Sequence, residues 1–372
     1  MSGTAEPLVV VCAGGGGVGK TTTSAALALA LARQGRATLI VTIDPARRLA
    51  GAMGVPITDH VTRVPLPEAG GRLSALMPDP RRSLRTFIDQ LFEDEPRARA
   101  RLLENRLYLG LADAAAGVHE LVAMNLVAHA SSQGAFEVVV IDTAPSRHAI
   151  DFVTYPARLA ALLGGRTVGW LAGLAQRAGA PAGRSSGGIL AWGTGHVENL
   201  LARVTGPNLV SDTASLFGDL ACVRERFVSL TQRASALLLG ERAAYALVAA
   251  PTEAARDDVL YLARRLAKLG RAPRAIVMNR ADTGPAPHVR TLLRAPGLPA
   301  SLAEALSVLE EERAGRASAA NALSADLARR LPGVPLVRLP YIEATAPDAV
   351  VAALSRELEP HLAALLPEPF GV

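Results

Sequence analysis

The chain predicts an α/β protein, a doubly wound and mostly parallel sheet carrying an inserted helical subdomain. Three observations predict it. Short runs rich in valine, isoleucine and leucine recur at 8–12, 37–43, 137–141, 244–250, 274–278 and 334–338, with longer helical stretches between them. Runs apolar on both faces read as parallel strands buried between helices. Regular alternation of strands and helices implies right-handed crossovers and puts ligands at the carboxyl edge of the sheet. Three polar segments, the glycine-rich run at 14–21, Asp44 and Asp142, each follow one of the apolar runs and so converge on that edge.

The first strand, Leu8-Val9-Val10-Val11-Cys12, leads into Gly14-Gly15-Gly16-Gly17-Val18-Gly19-Lys20-Thr21 and then an Ala/Leu-rich helical segment from Thr22 to Ala32. This is a phosphate-binding loop, G-x-x-x-x-G-K-T. Gly14, Gly16, Gly17, Val18 and Gly19 let successive backbone N–H groups turn around a triphosphate, joined by the N–H groups of Lys20, Thr21 and Thr22 at the helix start. Lys20 reaches the β/γ-phosphates, the Thr21 hydroxyl can ligate Mg2+, and the helix presents its positive end to the same anion. Lys20 is one of only two lysines in the chain. Gly14, Gly16 and Gly19 also satisfy the dinucleotide fingerprint G-x-G-x-x-G, with Asp44 near the position of a ribose-binding acid. A dinucleotide site, however, has no task for Lys20-Thr21.

The second strand ends in Thr42-Ile43-Asp44-Pro45-Ala46-Arg47-Arg48. A carboxylate fixed by the following proline can position and polarise a water in line with the γ-phosphate, and it can also cap a helix over 46–53. The third strand ends in Val138-Val139-Val140-Ile141-Asp142. Asp142 reads as the carboxylate that orients a water on the metal. The stretches 80–132 and 150–240 are too long for simple crossovers and mostly helical in pattern. They are read as insertions forming a helical subdomain of a single domain spanning 1–372, with a Gly/Pro/Ser-rich connection from Ala178 to Gly188. The segment from Asp348 to Leu366 is an amphipathic helix pattern expected to pack on the sheet.

Composition narrows the function. Half of the 372 residues are hydrophobic, the net charge is +5, and there are two cysteines, Cys12 and Cys222, in no C-x-x-C pair. Buried, inert thiols are expected, with no cysteine-rich metal site within one chain. Arginines alternate with acids along helix faces with little aromatic interleaving, so no specific nucleic-acid partner is expected. No apolar run reaches the roughly 18 residues of a membrane span and no secretory leader is visible, so a soluble, cytoplasmic protein is expected.

Together the phosphate loop, Asp44-Pro45-Ala46 and Asp142-Thr143-Ala144-Pro145-Ser146-Arg147-His148 resemble the arsenite-pump and tail-anchored-protein-targeting ATPase family of the deviant Walker A class. That family carries G-K-G-G-V-G-K-T, D-P-A-H and D-T-A-P-T-G-H in this order. The resemblance implies a dimer closing face to face over two ATP molecules with Mg2+, the early lysine of the loop crossing to the partner's phosphates. Gly15 stands at that lysine's position. Arg147, where the family has glycine, and Arg47, where it has histidine, are the candidate replacements for its charge. The resemblance also makes Asn279 the adenine-recognising residue, with Leu339-Pro340-Tyr341 the other wall of the base pocket. Glu253 is either a residue reaching a partner's nucleotide or a helix-start acid.

The implied activity is ATP hydrolysis by a nucleotide-gated switch, a homodimer or a heterodimer with a paralogous ATPase. Its partner would be a protein client, a hydrophobic helix among the candidates. A regulatory or positioning switch acting on a protein, filament or membrane shares the same features. An oxyanion pump fits less well, since clustered cysteines are lacking and the motif set occurs once.

Overall fold

The computed structural model describes residues 6–43, 48–66, 70–109, 134–144, 207–282, 287–344 and 346–367. Among the described residues, eight strands form one sheet in the order β3-β4-β2-β5-β1-β6-β7-β8: β1 (Leu8–Gly14), β2 (Ala37–Thr42), β3 (Thr62–Val64), β4 (Arg72–Leu76), β5 (Val138–Asp142), β6 (Ala243–Ala249), β7 (Ala275–Met278) and β8 (Leu336–Arg338). Every pairing is parallel except β3 with β4. This is a doubly wound, mostly parallel α/β fold, as the alternation of apolar runs predicts.

The centre of the sheet follows from its residues. β1 is buried along its whole length, as are β5 and β6 on either side of it. β-Branched and aliphatic side chains on both faces suit a strand sandwiched between helices. Six of the eight strands coincide with the apolar runs. β3 and β4 were not expected, because Thr-Arg-Val and Arg-Leu-Ser-Ala-Leu are short and broken by polar residues. β3 forms the antiparallel edge, where polar residues are tolerated, and β4 lies inside it, buried but for Arg72.

The helices are α1 (Lys20–Arg33), α2 (Arg48–Met53), α3 (Pro80–Leu91), α4 (Pro96–Glu104), α5 (Pro207–Cys222), α6 (Arg224–Leu239), α7 (Glu253–Lys268), α8 (Pro287–Leu293), α9 (Ala300–Arg330), α10 (Pro347–Leu358) and α11 (Leu362–Leu365). α1 is buried almost all round, its alanines letting it lie close against the sheet. The carboxy-terminal segment differs from the single helix expected on the sheet. Pro360 sits in a 3-10 turn, Glu359–His361, that divides it into α10 and α11. α10 packs chiefly on α1, burying Val351, Leu354 and Leu358, with Arg33 donating to the Ser355 hydroxyl at 3.2 Å.

The described residues divide into two compact units. One holds the sheet and comprises the residues up to Pro78, those at 134–144 and those from Leu237 onward. The other comprises those from Asp79 to 109 and from 207 to Ala236. Its core gathers Leu84, Phe87, Ile88, Leu91, Phe92, Leu102, Leu216 and Phe227, with Phe87 and Phe227 edge to face at 6.1 Å. α3 starts cleanly because Asp79 accepts from the Arg82 N–H at 2.9 Å and Pro80 follows it. Asp219, buried in this unit, is held by Arg101 and lies 3.4 Å from the Ser215 hydroxyl.

Candidate functional site

The phosphate loop joins β1 to α1 at the carboxyl edge of the sheet. Gly17 and Gly19 have φ of 74° and 87°, a left-handed conformation that a side chain disfavours, and Gly19 is the N-cap of α1. Space is as restrictive as conformation. A Cβ on Gly14 would strike the Val248 carbonyl, and one on Gly19 would strike the Asn279 amide. Lys20, almost fully buried, donates its ammonium to the Gly15 carbonyl at 2.7 Å, folding back over the loop.

Asp142 ends β5 beneath the loop and is fully buried. Its carboxylate accepts from the Thr21 hydroxyl at 2.8 Å and from the Thr42 hydroxyl at 3.0 Å. The Ser24 hydroxyl lies 2.9 Å from the Lys20 carbonyl and 3.3 Å from Asp142. One carboxylate therefore fastens together the ends of β2 and β5 and the first turn of α1. Thr42 and Ser24 were not singled out from the sequence, since hydroxyls in a strand and a helix carry no signal of their own; a carboxylate at the adjoining strand end is the cue that could have found them.

Cys12, beneath the same knot in β1, is fully buried, and burial pushes its thiol up to about 12. Cys222 departs from the expectation of burial: it is exposed, near the end of α5, and donates to the Asp219 carbonyl at 2.8 Å. Partial desolvation still raises its thiol above the ordinary value. Glu253 opens α7 behind the Thr252 cap, which accepts from the Ala255 N–H at 3.2 Å, matching the helix-start reading.

Above the loop lies a cavity of about 370 Å3 lined by Gly17, Lys20, Thr21, Thr22 and, from other elements, Arg48 and Arg280. Beside it a second cavity of about 200 Å3 is lined by Asn279, Arg280, Pro340, Tyr341 and Ile342. Asn279 ties this region to the loop, its amide N–H donating to the Val18 carbonyl at 3.0 Å and its Oδ1 accepting from the Arg280 N–H at 3.0 Å. Tyr341 is 45% exposed, so its ring is open on one side. The Arg316 guanidinium stacks on it at 5.3 Å. Arg316 in turn donates to the buried Asp282 at 2.7 Å, which raises its pKa.

Gly15 is buried, and a Cβ added there would run into the Asp258 carboxylate of α7. Any side chain at this position would have to displace Asp258. Asp44 and Arg47 before α2, and Arg147 after β5, lie outside the described residues, as does the Ala178–Gly188 connection.

The donor set suits a magnesium nucleotide. Gly14, Gly15 and Gly19 have no room for a side chain unless a neighbour moves, the one lysine of the loop is in place, and the Thr21 hydroxyl is already oriented by a buried carboxylate. Among the described residues no group of three His, Cys, Asp or Glu side chains could by itself hold a metal ion, and no helix is long and apolar enough to cross a membrane.

Comparison with known proteins agrees with this geometry. Residues 8–181 match the family described as Anion-transporting ATPase. The ATPase get3 of Schizosaccharomyces japonicus is 30% identical over 180 residues, covering 48% of this chain and 51% of the relative. The ATPase GET3 of Mycosarcoma maydis is 32% identical over 156 residues, covering 40% and 44%. The chain thus spans about half the length of the curated relatives it matches. Residues 8–181, where the phosphate loop, Asp44 and Asp142 all lie, are thus similar to the anion-transporting ATPase family and to the ATPases named GET3.

Proposed function

We propose that the chain is an ATP-hydrolysing, nucleotide-gated dimeric switch that binds Mg-ATP and couples hydrolysis to capture and release of a protein client. The observation that carries this reading is the Asp142 carboxylate holding the Thr21 hydroxyl under a glycine loop that also presents Lys20. A dinucleotide site would use neither.

Bound magnesium supplies Lewis-acid charge on the phosphate oxygens. The protein's part is positioning. Thr21 would hold the metal through its hydroxyl oxygen, oriented by the hydrogen bond that it donates to Asp142, whose carboxylate would orient a water on the metal. Lys20 brings the positive charge, its stem already lying along the loop. Asp44 orients and polarises the attacking water, and Arg47 and Arg147 are the candidates for the charge that Gly15 lacks. Asn279 and Tyr341 bound the base, an amide edge and a ring face that favour adenine.

The family likeness supports ATP turnover, and the resemblance to tail-anchored-protein-targeting ATPases supports a hydrophobic helical client. The test is the light-scattering molar mass of purified Asp44→Asn protein with Mg-ATP, with Mg-ADP and without nucleotide. A dimer formed with Mg-ATP alone is the expected result. A monomer under all three conditions would overturn the homodimer and leave a paralogous partner to be sought.

A further inference from the structure

Arg280 has no assigned task, yet its backbone is held in an unusual state. Its φ of 57° makes it the one non-glycine residue with positive φ among the described residues. The cause is anchoring on both sides. The Asn279 N–H donates to the Ala249 carbonyl at 2.8 Å, and the Ala281 N–H donates to the Leu339 carbonyl at 2.7 Å. The Arg280 N–H itself is taken by Asn279 Oδ1. A residue pinned between two strand ends must turn the chain in a single step, and the left-handed region is what remains. Glycine would do this without cost, so an arginine here points to a use for the side chain.

That side chain is exposed and lines both cavities. Only Gly19 and Thr22 share this property with it. The cavity holding Tyr341 is the base side and the cavity holding Lys20 and Thr21 is the β/γ-phosphate side, so their junction is where ribose and α-phosphate pass. The guanidinium makes no hydrogen bond or ion pair with another described residue. Arg48, which also lines the phosphate cavity, is not without a partner.

We infer that Arg280 is a nucleotide-positioning residue whose guanidinium binds the α-phosphate, so that this chain grips adenine nucleotides from the monophosphate upward. The inference rests on the nucleotide reading of the site. A planar fork of donors suits phosphate oxygens, and charge-assisted hydrogen bonds are the stronger kind.

Calorimetric titration of the full chain with AMP, ADP and ATP in the presence of Mg2+ tests it, comparing the wild type with Arg280→Gly, Arg280→Lys and Lys20→Ala. Glycine removes the guanidinium while easing the backbone, so Arg280→Gly should melt no lower than the wild type. Its Kd should nevertheless rise by roughly 10–100-fold, by the same factor for all three nucleotides. Arg280→Lys should recover part of the loss. Unchanged affinities in Arg280→Gly would reduce Arg280 to a turn residue and overturn the inference. A loss confined to ATP would overturn it too, placing the guanidinium at the γ-phosphate. A wild type that binds none of the three would instead overturn the nucleotide reading, whereas binding abolished by Lys20→Ala upholds that reading whatever Arg280 does.

Discussion

At the scale of single residues, the site is a set of close fits around Lys20. Its ammonium is buried and committed to the loop, so Lys20→Ala should abolish measurable ATP binding by calorimetry while leaving the fold intact by circular dichroism. Gly15 sets a second expectation. Because the Asp258 carboxylate covers the position, a lysine introduced there would be captured within its own subunit. Gly15→Lys alone should therefore change ATPase turnover less than Gly15→Lys with Asp258→Asn, by several-fold; equal effects would show that Asp258 does not hold the lysine. The cysteines separate by environment. A thiol reagent should titrate Cys222 and leave Cys12 unmodified until the protein unfolds. Cys12 keeps its proton in the folded state up to about 12, against an ordinary value of 9.0. The folded state thus binds more protons than the unfolded chain above pH 9, and stability falls as pH rises from there towards 12. The slope is up to about 1.4 kcal/mol per pH unit, and Cys12→Ala should flatten it in urea melts. How much of the site could be read from the sequence follows the same division. The phosphate loop and Asp142 were legible as neighbours at one sheet edge because motif spacing and strand ends put them there. Ser24, Thr42, Asp258 and Arg280 were not, because each acquires its place from a distant carboxylate, helix or strand end.

At the scale of elements, continuous apolar runs gave away six strands because a strand buried on both faces has no other pattern to show. β3 escaped because an edge strand is permitted polar residues such as Arg63, and β4 because the buried Ser74 breaks its short apolar run. Helix breaks were harder still. Pro360 interrupts the last helical pattern without interrupting its apolar stripe, so periodicity continues across α10 and α11 while the backbone does not. The helical unit is held by aromatic and aliphatic packing between α3 and α6, with Phe87 at its centre. Phe87→Ala should destabilise that unit by about 3–5 kcal/mol. Denaturant melts followed by circular dichroism would measure this, and ATP affinity in native buffer should stay within about twofold because no side chain of the nucleotide site belongs to that core. A parallel loss of ATP affinity would show that the unit's packing is transmitted to the loop.

At the scale of the whole molecule, the proposed dimer formation governed by nucleotide would separate a switch from a simple hydrolase. Asp44→Asn should retain ATP binding and lose most turnover in a phosphate-release assay, trapping the ATP-bound assembly; turnover near the wild-type rate would remove Asp44 from the water-positioning role. The order of the sheet also bears on how the chain is made. β1 is paired with β5 and β6, whose first residues are Val138 and Ala243. A ribosome adding roughly 5–20 residues per second leaves Val9-Val10-Val11 without either neighbour for about 6–26 s, and the long sequence separation slows the pairing further. A strand buried along its whole length in the folded protein thus waits for both of its partners to be made, and until then its apolar side chains face water.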